Sequence, residues 1–205
     1  MYIETSDSAY KSSLFNAIVA PRPIGWISSL DEMGTPNLAP FSYFNGMSAT
    51  PPMVMFACKG PADRPEKDTL ANVRRTGEFV ANLATYDLRD AMNMTSSTVP
   101  SGVDEFDLAG LVKLPSRLIK PHRVAASPVS MECRLLRVVD FPPDGPGERK
   151  SSVVFGRVLA LHIDDASVDA KGRFDMLKAR PLARLGGFTY LAVSDVFELP
   201  RPATD

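Results

Sequence analysis

The chain has 205 residues, 44% of them hydrophobic, and its 23 lysines and arginines nearly balance 24 aspartates and glutamates for a net charge of −1. That length fits one compact domain over 1–205, with apolar material for a sizeable core. The charge balance gives no strong field for nucleic acid or an anionic membrane, so neither is expected as a partner.

Cys58 and Cys133 are the only cysteines and lie far apart, which makes no disulfide framework and points to a reducing compartment. Met1 to Ser8 carries acids and hydroxyls without a basic start or an apolar run, so no secretory or mitochondrial signal is expected. No stretch approaches the roughly 18 apolar residues of a membrane helix. A cytoplasmic protein is the expectation.

Prolines 21, 23, 36, 40, 51, 52, 61 and 65 exclude long helices from the first third. Ile24 to Leu30 predicts a strand, Asp31 to Thr35 a turn with Gly34 at positive φ, and Leu38 to Phe44 the return of a hairpin. Met53 to Cys58 predicts a buried strand, and Lys59 to Pro65 a loop. Lys67 to Thr76 predicts a helix: Leu70 and Val73 share a face, Arg74 and Arg75 lie near the end, and Gly77 closes it. Phe79 to Ala84 predicts a strand. Tyr86 to Thr95 predicts a helix with Leu88, Ala91 and Met92 on one side.

From Pro128 to Phe141 the residues alternate, Val129, Met131, Cys133 and Leu135 against Ser130, Glu132 and Arg134. Past a polar tip at Pro142–Gly147, Val153 to Ile163 returns, predicting a long hairpin. Ala170 to Arg180 predicts a short helix, and Phe188 to Leu199 a last strand region. Many strands, few helices and no βαβ alternation predict a mainly β fold with helices: a barrel with helical decoration.

Lys67-Asp68-Thr69 stands at a helix start, where free N–H groups, the dipole, a lysine charge and a hydroxyl donor suit a phosphate monoester. The same residues also read as ordinary capping, with Lys67 in solvent. Ser28 and Ser29 are adjacent hydroxyls in an apolar strand; one can enter a pocket while the other faces out, or both can sit solvated on an edge. Ala39 to Ser48 mixes Phe41, Tyr43 and Phe44 with Ser42, Asn45 and Ser48. That is the lining a flat heteroaromatic ring wants, and equally an aromatic plug with an Asn45-Gly46 turn.

His122 and His162 lack ligand spacing to Cys or Glu, so both read as structural or surface residues and no metal site is expected. Neither a Gly-x-Ser-x-Gly elbow nor a phosphate-binding P-loop occurs. Gly145-Pro146-Gly147 sits in the polar tip and is no dinucleotide fingerprint. Cys58 ends an apolar strand, where packing or pocket lining outweighs a reactive role.

On Pro23-Ile24-Gly25-Trp26-Ile27-Ser28-Ser29, Asn37 to Asn45, Pro51-Pro52, Lys67-Asp68-Thr69-Leu70-x-Asn72, Phe79 to Leu83 and Phe155 to Val158, the chain resembles the flavin reductase-like proteins of the FMN-binding split-barrel fold, a Greek-key split β-barrel. The resemblance runs from about Lys11 to Leu199. It implies a homodimer with FMN near the subunit interface. It matches Trp26, Ser28 and Ser29 to strand positions lining the flavin, and Ser42, Tyr43, Asn45 and Ser48 to the loop around the ring. Lys59, Lys67, Asp68 and Thr69 match the stretch that handles the ribityl phosphate, with Cys58 beside it. Arg184, Gly187 and Tyr190 match a C-terminal segment near the cofactor.

The activity implied is an NAD(P)H:flavin oxidoreductase passing a hydride from a nicotinamide co-substrate to flavin and serving a monooxygenase or other redox partner. One departure stands out. Where many such reductases carry Gly-Asp-His, thought to meet the nicotinamide, this chain has Arg149-Lys150-Ser151-Ser152. The alternative is a flavoredoxin-like electron carrier reduced by a protein partner. Because the flavin carries the chemistry, no catalytic side chain is named.

Overall fold

Asp31 sets the first hairpin. Its Oδ1 accepts from the amides of Met33 and Thr35 at 2.9 and 2.7 Å, and Gly34 takes φ 87°, so the chain reverses within five residues. The computed structural model describes residues 1–61, 63–145 and 148–202.

In chain order the helices are α1 (Ser12–Ile18), α2 (Asp68–Thr76), α3 (Arg89–Met94), α4 (Glu105–Leu108) and α5 (Met176–Ala179). The strands are β1 (Arg22–Pro23), β2 (Gly25–Leu30), β3 (Pro36–Phe41), β4 (Phe44–Ala49), β5 (Pro52–Lys59), β6 (Glu78–Leu83), β7 (Lys113–Leu114), β8 (Arg123–Val124), β9 (Val129–Phe141), β10 (Ser151–Ile163), β11 (Leu182–Gly186) and β12 (Thr189–Ala192).

Seven strands form one sheet in the order β3-β2-β6-β9-β10-β5-β4. Ser42 and Tyr43 alone join β3 to β4, yet these strands occupy opposite edges of that sheet. The sheet must therefore curl until its edges meet, which makes a barrel. At the seam the Ala57 amide donates to the Tyr43 carbonyl at 2.8 Å, and the Phe41 and Phe56 rings lie 4.9 Å apart. β9 and β10 pair antiparallel from Ser151↔Phe141 to Ile163↔Val129, forming the long hairpin predicted from alternation, with bulges near Gly156 and Ala160.

Two cores flank β2, which is buried on both faces. Ile27 belongs to the barrel interior with Phe41, Val54, Phe56, Phe79 and Val154; α2 adds Leu70 and Val73. Trp26 belongs to a second core with Ile24, Leu38, Met92, Phe106 and Leu182, under α3, α4 and β11. This second core fixes the loop after α3 against β2 and β3.

Several expectations shift. Of 170–180 only Met176–Ala179 is helical, because Asp169 Oδ1 takes the amides of Lys171 and Arg173 at 2.9 Å each and turns the chain there. The last strand covers Thr189–Ala192, not Phe188 to Leu199, since its pairing with β11 ends at Leu182↔Ala192. Tyr86–Leu88 is a 3-10 turn leading into α3. Of the polar tip at 142–147, positions 146 and 147 lie outside the described residues.

Candidate functional site

The start of α2 is the center of the site. Lys67 is the N-cap residue, and among the described residues no side chain caps the helix. Asp68 does not do so: its carboxylate takes Arg64 Nη1 at 3.0 Å and Ser101 Oγ at 2.8 Å. Thr69 does not do so either: its Oγ1 donates to Asn37 Oδ1 at 2.6 Å. The capping part of that alternative therefore fails, while Lys67 does stand in solvent, and among the described residues the amides of Asp68, Thr69 and Leu70 have no partner.

Lys67 is exposed, with Nζ 5.9 Å from the Phe41 ring centroid, and among the described residues it has no acidic partner within 4.0 Å. A cleft of about 170 Å³ opens here, lined by Lys67, Asp68, Thr69, Arg64, Pro40 and Ser97, among others. Its far wall is the segment after α3, where Ser97 is exposed and Ser96 Oγ donates to Asn93 O at 2.7 Å. An uncapped helix start, a free lysine and serine hydroxyls are the donor set an anionic phosphate requires.

A buried polar chain backs the cleft. Asn37 Nδ2 donates to both oxygens of Glu105 at 2.9 and 3.0 Å, and the Leu38 amide donates to Glu105 Oε2 at 2.9 Å. Asn37 Oδ1 receives Thr69 and, at 3.4 Å, Ser29 Oγ, which in turn accepts from Asn72 Nδ2 at 3.2 Å. Burial pushes the Glu105 carboxyl up, against the pull of the Leu38 amide and Asn37. Sequence reasoning did not single out Glu105 or the 95–97 segment, and it placed Asn72 in a motif that carries the family resemblance without giving it a role. Asn37 opens one of the motifs that carry the family resemblance, but without a role of its own. The Asp104-Glu105-Phe106 start of α4, with Asp104 accepting from the Phe106 amide at 2.9 Å, was a readable signal.

The predicted site residues fall into groups. Ser29, Lys67, Asp68 and Thr69 come together around Asn37, but the hydroxyl proton assigned to a phosphate from Thr69 is committed to Asn37. Trp26 supports the cleft from behind, its Nε1 donating to Thr95 Oγ1 at 2.9 Å. Ser28 does not reach the cleft; it is buried and donates to the His122 carbonyl at 2.5 Å. Neither Ser28 nor Ser29 faces out, contrary to the alternation argument, because β2 is covered on both sides.

Asn45 and Ser48 lie on β4, away from this cluster: Asn45 Oδ1 accepts the Gly46 amide at 2.9 Å, and Ser48 Oγ accepts the Thr50 amide at 3.2 Å. Ser42 is half-buried at the seam, while Tyr43 OH donates to Asn16 Oδ1 of α1 at 2.5 Å. Cys58 faces the barrel interior, where burial pushes its thiol up to about 11, and Lys59 ends β5 exposed. Arg184, Gly187 and Tyr190 sit together on the β11–β12 hairpin; the guanidinium stacks 4.4 Å over the Tyr190 ring and donates to Tyr190 OH and the Gly187 carbonyl. Arg184 and Tyr190, with Tyr86 and Arg89, line a separate cleft of about 360 Å³.

His162, read as a structural or surface residue, takes a structural role. Its Nε2 lies 2.5 Å from Oε1 of the fully buried Glu132, which also takes the amides of Arg117 and Leu118 at 2.7 Å each. Among the described residues no three His, Cys, Asp or Glu side chains are placed to hold a metal ion, and no helix is long and apolar enough to cross a membrane.

A curled antiparallel sheet with a cleft at the start of α2 defines the class: a split barrel. The flavin reductase like domain matches residues 19–178, and the chain belongs to that family. An uncharacterized Aquifex aeolicus protein is 36% identical over 185 residues, covering 90% of each chain. Among solved structures, nitrilotriacetate monooxygenase component B from Bacillus cereus superposes with a TM-score of 0.88 at 28% identity, covering 97% of this chain and 98% of that one. The 2-nitrobenzoate 2-nitroreductase NbaA of Pseudomonas fluorescens gives 0.85 at 30% identity, covering 98% and 96%.

Proposed function

We propose that this chain, read as one domain over 1–205, is a cytoplasmic FMN-binding oxidoreductase that takes reducing equivalents from NAD(P)H and passes them to a redox partner. The observation that carries the reading is the start of α2, which among the described residues has neither a cap nor an acidic partner for Lys67, since a phosphate supplies what both lack. Flavin, when bound, supplies the redox chemistry. Lys67, the amides of Asp68 to Leu70 and the Ser97 hydroxyl hold the phosphate. Ala39 and Pro40 on β3 offer an apolar wall leading from the cleft toward Phe41. The family supports flavin, and the monooxygenase component and the nitroreductase among the similar structures support a redox role.

The outer face of the barrel supports a homodimer. Met53, Met55 and Ala57 of β5 stand beside Arg157, Phe155 and Val153 of β10, a largely apolar surface that stays half-buried in one chain. Asn45 and Ser48 pair with Met55 and Met53, so joining two copies here carries both to the interface.

A second reading, an electron carrier reduced by a protein, draws on residues 149–152. Lys150 pairs with Asp140 at 3.3 Å and Ser152 donates to it at 2.6 Å, so both side chains turn toward Asp140. Anaerobic mixing of the FMN-loaded protein with NADH or NADPH separates the two readings. Bleaching of the flavin band supports the reductase. An unchanged band that dithionite then bleaches supports the carrier.

A further inference from the structure

We propose that Glu105 is a positioning residue for the phosphate end of the cleft, acting through Asn37 on the first turn of α2. This rests on the reading that the cleft holds a phosphorylated flavin. Glu105 is buried, and among the described residues no cation lies within 4.0 Å of its carboxylate. Its contacts are instead N–H donors: both bonds from Asn37 Nδ2 and one from the Leu38 amide.

An ionised carboxylate only accepts, so Asn37 must turn its NH2 toward Glu105 and its Oδ1 toward α2. There Oδ1 takes the protons of Thr69 and Ser29, and Ser29 takes one from Asn72. Direction thus passes from α4 through β3 to both turns of α2 that face the barrel rim. Holding α2 on the barrel does not need this chain, because Leu70 and Val73 are already buried in the interior core. What the chain adds is the azimuth of the first turn, and with it the aim of the three free amides and of Lys67. Glutamine at 105 would not serve equally. Its amide can present NH2 to the Asn37 NH2, and then Asn37 gains by flipping away from Thr69.

The test compares FMN with riboflavin, which lacks the phosphate, by titration calorimetry on the whole chain. Wild type is expected to prefer FMN by about tenfold or more. Glu105→Gln is expected to lower that preference about threefold to tenfold while riboflavin affinity holds. The double exchange of Asn37→Asp with Glu105→Gln is expected to restore the preference. The amide introduced at 105 then donates to the carboxylate introduced at 37 and accepts from the Leu38 amide, while the new carboxylate still accepts from Thr69 and Ser29.

A preference unchanged in Glu105→Gln, an equal loss for both ligands, or no rescue by the exchange overturns the proposal. If Glu105→Gln does not fold, Thr69→Val cuts the same relay at its end, and an unchanged preference there overturns it as well. Wild type that binds FMN and riboflavin alike, or neither, brings down the phosphate reading itself and the positioning role with it.

Discussion

Removing the Lys67 charge probes the site at an exposed donor. Among the described residues Nζ has no carboxylate partner, so Lys67→Ala breaks no ion pair within the protein and leaves no buried group unsatisfied. Its effect on folding should stay within about 0.5 kcal/mol, the range of surface substitutions. Its effect on a bound phosphate is larger. At about 4 Å and an effective dielectric near 20, a unit charge pair is worth about 4 kcal/mol before desolvation and screening. A net charge-assisted hydrogen bond retains about 1.5–3 kcal/mol, which is about tenfold to a hundredfold in affinity.

Quenching of flavin fluorescence at low and high salt measures it. FMN should weaken by that factor in Lys67→Ala, more at low salt, and riboflavin should hardly change. Equal losses for both flavins would refute the placement of Lys67 against the phosphate.

Three other perturbations test the frame around the site. Glu132 is fully buried, and although burial pushes its carboxyl up, the Arg117 and Leu118 amides and His162 hold it below the usual 4.5. Its contribution to stability is therefore present above about pH 4.5 and lost as pH falls through the lower folded value; urea melts of Glu132→Gln should show a flatter acid limb than wild type, and parallel limbs would contradict this. Trp26→Phe removes the 2.9 Å bond to Thr95 and should cost about 1–3 kcal/mol by denaturant titration, with a loss of FMN affinity through the 95–97 wall; unchanged stability and affinity would count against that support. Burial raises the Cys58 and Cys133 thiols to about 11 and about 12, so a thiol reagent at pH 8 should label neither until denaturant is added, and rapid native labelling would show that the barrel interior is open.

Local chemistry made much of the fold readable. The Asp31–Thr35 turn, the alternation along β9 and the Gly77 closure of α2, with φ 73°, are written in short stretches of sequence. β11 is not legible in that way, because Leu182 to Gly186 has no clean period and takes its strand geometry from pairing with β1 and β12. The start of α2 was legible at Lys67-Asp68-Thr69. What remained hidden was the division of labor within it. Whether Thr69 turns its proton to a ligand or to Asn37 depends on Glu105, 68 positions from Asn37. Such a contact exists only after β3 and α4 have packed. The placement of Asn45 was hidden for a related reason: its side follows from pairing with Met55, and an outer barrel face is defined only once the sheet has curled.

The FMN reading and the role given to Glu105 both depend on the start of α2 binding the phosphate of a flavin. Dissociation constants of the wild-type protein for FMN and riboflavin, taken side by side at one ionic strength, decide the matter. FMN should bind about tenfold to a hundredfold more tightly. Equal constants, or no flavin binding at all, would contradict that role for α2.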